Sequence, residues 1–114
     1  MVEVAAVELA VTRITEAQLG ELDEVHGPFT GYDEESLERY MDENRRFHYL
    51  LSLASGNVQL AQSVAQIMDR LGQLMVMYGE DEQMAANHAH IVSMLRQRDV
   101  EGARRAITKH LDDM

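Results

Sequence analysis

Asn44-Arg45-Arg46-Phe47-His48, continued by Tyr49-Leu50-Leu51-Ser52-Leu53-Ala54-Ser55-Gly56-Asn57, is the stretch from which the fold can be read. It runs as a helix and then stops. Gly56 can take the left-handed conformation that ends a helix, and Asn57 is a good N-cap for the next one. Upstream, Leu37, Tyr40, Met41, Asn44, His48 and Leu51 recur at three- and four-residue steps, so they share one helix face. That face is apolar enough to point into a core, yet it carries an amide and an imidazole one turn apart. Polar groups on a buried stripe need partners. The expected partner is a metal ion, completed by His88 and His110.

The composition bounds what surrounds this stretch. A chain of 114 residues is one domain, residues 1–114, large enough for a core of its own. Its apolar fraction of 46% fits a globular protein. The formal net charge is −10, from 20 acidic and 10 basic residues. Such a chain repels a phosphate backbone, so DNA binding by this chain alone is not expected. There is no cysteine, which excludes disulfides and thiolate metal ligands and leaves nitrogen and oxygen donors. No apolar run approaches membrane-spanning length, and the acidic N-terminus does not read as a signal peptide, so a cytoplasmic protein without membrane contact is expected.

Outward from the opening stretch, the spacing predicts five more helices. Val2 to Ile14 is apolar nearly all the way round, which implies burial on more than one side and points to a homodimer interface. Thr15 resembles an N-cap with Gln18 at the capping-box position, and the helix from Glu16 should end near Val25, before His26-Gly27-Pro28. His26 at that end is read as a cation meeting the helix dipole. Asp33 is the expected N-cap of the central helix, which runs to about Ser55. Asn57 opens a helix to about Tyr78, with Leu60, Val64, Ile67, Met68, Leu71, Leu74, Met75 and Tyr78 as its core stripe. On another face of it, Gln66 and Arg70 stand one turn apart, either solvent-exposed or forming a polar wall of a ligand pocket. After Gly79-Glu80, a fifth helix carries Met84, His88, Ile91 and Leu95 on one stripe and His90 on a different face. A sixth, from Val100 to about Leu111, carries Val100, Ala103, Ile107, His110 and Met114. Helices joined by short turns, with no strand-like alternation, predict an all-α antiparallel bundle of about six helices.

Three histidines, His48, His88 and His110, thus fall on the apolar stripes of three different helices. Any one of them alone reads best as a hydrogen-bonded core residue. Three together suggest convergence in the bundle interior, where metal sites are commonly built. Asn44 lies one turn before His48 and can point its amide oxygen the same way. Imidazole nitrogen suits zinc, copper, iron or nickel, and such a set leaves room for an exogenous ligand.

The same residues carry a family resemblance. Asn44-Arg-Arg-Phe-His48 with Ala54-Ser-Gly-Asn57, then His88-Ala-His-Ile91 with Arg98-Asp99 and Ala103, then Lys109-His110-Leu111 resemble the motifs of the FCD domain. This is the effector-binding domain of the FadR subgroup of GntR-family transcription regulators. Glu8-Leu9-Ala10 and Arg13-Ile14-Thr15 fit its early helix. The resemblance implies an all-helical, dimeric, bacterial regulatory domain that holds a divalent metal and binds a small organic acid. It places the metal ligands at Asn44, His48, His88 and His110, with zinc first and nickel, iron or manganese as alternatives. Asn44 stands where many relatives have Asp, and an amide brings no negative charge to the ion. The winged helix-turn-helix through which such regulators reach DNA is not seen ahead of Val2-Glu3, so a shortened chain and a solitary sensor domain are both open.

The leading expectation is therefore a ligand-sensing regulatory domain and not an enzyme. Arg70, with Gln66, is the candidate contact to the acid, since guanidinium and carboxylate pair well. Two alternatives belong to other classes. One is a small metal-dependent hydrolase with a three-histidine site, although no carboxylate lies on the ligand-bearing stripes to act as base. The other is a purely structural bundle with hydrogen-bonded histidines.

Overall fold

The computed structural model describes the backbone of residues 2–77 and 81–112, and the side chains of residues 4–67, 70 and 85–109. Within them the chain forms six helices and no strand: α1 (Val2–Arg13), α2 (Glu16–Asp23), α3 (Glu34–Leu53), α4 (Val58–Met77), α5 (Asp81–Arg96) and α6 (Val100–Asp112). The expected all-α bundle is what is found.

Local chemistry sets the helix ends. Thr15 Oγ1 accepts from the Gln18 amide at 3.1 Å while Gln18 Oε1 accepts from the Thr15 amide at 3.0 Å, a reciprocal capping box. Asp33 caps α3, accepting from the Ser36 amide at 3.3 Å and the Ser36 hydroxyl at 2.6 Å. Asn57 Oδ1 accepts from the Leu60 amide at 3.0 Å and so caps α4. Gly56, at φ 89°, supplies the left-handed residue between α3 and α4. At the end of α5 the same job falls to Arg98, at φ 55°. There the Asp99 amide donates to Met94 O and the Arg98 amide to Leu95 O, both at 3.1 Å, which closes a Schellman turn. α2 ends two residues earlier than expected, with Glu24 as its C-cap.

The buried faces differ in detail from the periodicity. α1 buries Ala6, Val7, Ala10, Val11 and Ile14, while Leu9 stays 41% exposed. α3 buries Tyr40, Asn44, Phe47, His48 and Leu51, but Leu37 and Met41 are only half-buried, so its inner face is turned toward Phe47. α4 buries Ala61, Val64 and Ala65 instead of Ile67, which is 44% exposed. Small side chains there let α4 lie close against α3, its main neighbour. The Met68, Leu71, Leu74, Met75, Tyr78, Met84 and Met114 side chains lie outside the described residues. In α5, His88, Ile91, Val92 and Leu95 face inward, and His90 is exposed as expected. α6 buries Ala103, Ala106 and Ile107; Val100, its first residue, is 43% exposed instead of joining that stripe.

One apolar core gathers these faces, with Val7, Val11, Leu19, Phe47, Leu51, Ile91, Leu95 and Ile107 at its centre. Each such side chain stabilises the fold by roughly 1.5–3 kcal/mol through removal from water. α3 runs through the middle, against α1, α2, α4 and α5. Two guanidinium groups fasten remote ends: Arg13 donates to Ser55 O at 2.6 Å, and Arg98 donates to Val11 O at 2.9 Å. Among the described residues, no helix is long and apolar enough to cross a membrane.

Candidate metal centre

α3 holds Asn44 and His48 one turn apart on its inner face, 1% and 0% exposed. α5 brings His88, 1% exposed, against the same spot. The His48 and His88 rings meet edge to face, centroids 5.0 Å apart and planes at 82°. Phe47 completes the cluster, stacked flat on His88 at 3.8 Å and edge-on to His48 at 5.5 Å. Three of the four expected ligand positions are therefore together in the core. The fourth, His110, lies in α6, which packs on α5 and α1; its side chain is outside the described residues. Gln66 and Arg70 are both exposed on α4.

The structure adds two residues that the spacing did not single out. His26 sits just past the end of α2, and its Nε2 lies 2.6 Å from Nδ1 of His88. Its other nitrogen, Nδ1, faces Glu43 Oε1 at 3.5 Å, and each of these side chains is 12% exposed. Burial lowers the His26 pKa from its ordinary value, and this outweighs the nearby Glu43 carboxylate, which acts the other way. The reading of His26 as a cation on the helix dipole is thus corrected: it lies beyond the C-cap Glu24, largely enclosed and turned onto His88. Periodicity could not find it, because it lies outside any helix.

Glu43 is held by three groups. Its Oε2 accepts from the Gly27 amide at 2.9 Å and from Arg39 at 2.7 Å, while Oε1 remains toward His26. Arg39 reaches on to Pro28 O and to Thr30 Oγ1, so the α2–α3 loop is strapped to α3. The Arg39–Glu43 spacing of four residues was a legible signal for that pair. A cavity of about 100 Å³ opens beside His26 and His88, walled by Leu22, Phe47, Ala89 and Val92.

Among the described residues, no group of three or more His, Asp or Glu side chains could hold a metal ion. The donor types are nevertheless those a metal takes: two buried imidazoles and an amide on α3 and α5, with a further imidazole position in α6. Nitrogen and oxygen donors of this kind match zinc, nickel or iron.

The family model described as "FCD domain" matches residues 1–113, so the chain belongs to the FCD family. That family is the effector-binding domain of GntR-type transcription regulators. No curated protein and no solved structure matches the chain.

Proposed function

We propose that this domain senses a small organic acid through a divalent metal, and thereby controls DNA binding by a GntR-type regulator that carries a winged helix-turn-helix. The observation that supports this most is the burial of His48 and His88 beside Asn44, with the two rings 5.0 Å apart in an otherwise apolar core. Asn44, His48, His88 and His110 would hold the ion, zinc first, with nickel, iron or manganese as alternatives. All four are neutral donors. A bound divalent ion would supply an uncompensated positive charge that favours a carboxylate over water as the exogenous ligand.

The chain's own residues supply the rest. α3 and α5 bring their donors to one spot in the core, so an acid docked there would tie the two helices together. That restraint is the signal passed to the DNA-binding domains. Arg70, with Gln66, would meet the outer end of a longer acid from the exposed side of α4. The exposed Leu9 and Ile67 belong to the surfaces we assign to a homodimer. The role is regulatory and cytoplasmic, with no catalysis.

The test is metal content and ligand response together. Protein loaded with zinc should retain about one ion per chain by elemental analysis, and citrate or succinate should raise its melting temperature. His88→Ala should lower zinc affinity by at least the roughly tenfold scale of weaker perturbations around metal sites. It should also lose the citrate-induced shift. A folded His88→Ala protein that has lost zinc but still responds to citrate would overturn the mechanism.

A further inference from the structure

We propose that the cavity between the end of α2 and the middle of α5 is the port through which a divalent ion passes from solvent to the buried histidines. The inference rests on the metal reading above and deepens it, by naming the route along which that site fills.

Asn44, His48 and His88 are 1%, 0% and 1% exposed, so an ion cannot meet them at the molecular surface. It needs an opening in the packing, and His88 borders one. The cavity of about 100 Å³ has Leu22 and Asp23 of α2 on one side and Ala85 and Ala89 of α5 on the other. Ala85 and Ala89 are exposed, so that side meets solvent, whereas His88 and Phe47 are buried and form the inner end. A space of this size admits a water-sized solute with room to spare, since one water needs only roughly 10–15 Å³ of such volume. Behind His88 stands His48, with ring centroids 5.0 Å apart.

Packing keeps the passage open on both sides. On α5, Ala85 and Ala89 lie one turn apart on the cavity face and carry only a methyl group each. On the α2 side the rim is pinned twice. Arg96 Nη1 donates to Asp23 Oδ1 at 3.0 Å, and the Gly27 amide donates to Glu43 Oε2 at 2.9 Å. The end of α2 is thus fastened to α5 and the segment after it to α3, with His26 between the two fastenings. Leu22, Phe47 and Val92 make the walls largely apolar, and the polar side chains along them are Asp23, His26 and His88. These are the groups that an entering cation meets. The formal net charge of −10 also favours the approach of a cation over that of an anion.

The test reads rates apart from affinity. Zinc association is followed by stopped flow, and zinc release against an excess of chelator. Ala89→Leu and, as a second variant, Ala85→Leu place a branched side chain at the mouth. Each should slow association and release together by about tenfold and leave zinc affinity within about twofold of wild type, because a narrowed passage raises the barrier without touching the ligands. Ala86→Leu, exposed on α5 away from the cavity, should leave both rates unchanged. Wild-type rates in both folded port variants would overturn the proposal, and so would a loss of affinity with association unchanged. A second arm uses metal-free protein, with dissolved oxygen as a small paramagnetic solute. The ring protons of His88 should relax faster than the side-chain protons of Val7 and Ile107, which are comparably excluded from solvent, and Ala89→Leu should remove the difference. Equal relaxation in wild type would overturn the port whatever zinc does. If wild-type protein binds no zinc, the metal reading fails and takes the ion's route with it, whereas unchanged rates in variants of a zinc-binding protein overturn the port alone.

Discussion

The Phe47 ring lies flat on the imidazole of His88, centroids 3.8 Å apart and planes 3° from parallel. The two residues are 41 positions apart and belong to α3 and α5. Both are essentially excluded from solvent, so the stack joins the apolar core to the histidine cluster.

Phe47→Ala should therefore damage stability and the candidate site together. A buried Phe truncated to Ala typically costs about 3–5 kcal/mol. Urea unfolding should show that loss, with Phe47→Leu affected less because most of the apolar volume is kept. If Phe47→Ala changed the unfolding midpoint only marginally, the stack would not be part of the cooperative core.

Gly56 gives a backbone test. Its φ of 89° disfavours any side chain, and an added Cβ would come within 3.2 Å of Arg13 Nη1. Gly56→Ala should destabilise by about 1–2 kcal/mol through the left-handed backbone alone. Displacing Arg13 would also disturb its bond to Ser55 O. Thermal unfolding monitored by circular dichroism reads the effect.

Arg98 is the converse case, a side chain where the backbone favours glycine. Its left-handed φ is tolerated while its guanidinium reaches Val11 O. Arg98→Ala loses that bond and keeps the strain; Arg98→Gly loses the bond and relieves the strain. The glycine variant should be the more stable of the two by about 1 kcal/mol. Equal midpoints for the pair would argue against strain at this position.

Asp23 and Arg96 join the ends of α2 and α5 by two parallel contacts, one of them 3.0 Å from Arg96 Nη1 to Asp23 Oδ1. The hydrogen bond from Arg96 is the main reason the Asp23 pKa falls below its ordinary 3.8. A depressed carboxyl pKa adds stability above the unfolded value, and that stability is lost as pH falls from 3.8 through the folded value. Asp23→Asn should thus be less stable than wild type at neutral pH, and the difference should vanish in acid. The pair is exposed, so the gap should be small and should shrink in high salt. A gap that widened on acidification would contradict this assignment.

Much of the fold was legible because its signals are local. The capping box at Thr15, the caps at Asp33 and Asn57 and the glycine stop at Gly56 involve residues within a few positions of one another. The FCD resemblance rested on residues along nearly the whole chain, and the family match covers 1–113. Asn44, His48 and His88 were marked as buried by helical spacing, since that spacing identifies a face before any packing is known.

By itself the sequence determined the helices, most of their ends and the placing of His48 and His88 on buried faces. The tertiary structure alone decided which groups meet across the core. Ile67 fits the α4 stripe by spacing but is exposed, because α3 lies against Ala61 and Ala65. His26 lies in a non-helical connection, where no period orients a side chain, and its partner is 62 residues away. Glu43 lies off the apolar stripe of α3, yet the α2–α3 loop folds over it and one of its oxygens faces His26. Helical periodicity follows from backbone geometry and is written in consecutive residues. The meeting of Glu43, His26 and His88 depends on how three separate segments pack, and no local spacing encodes that.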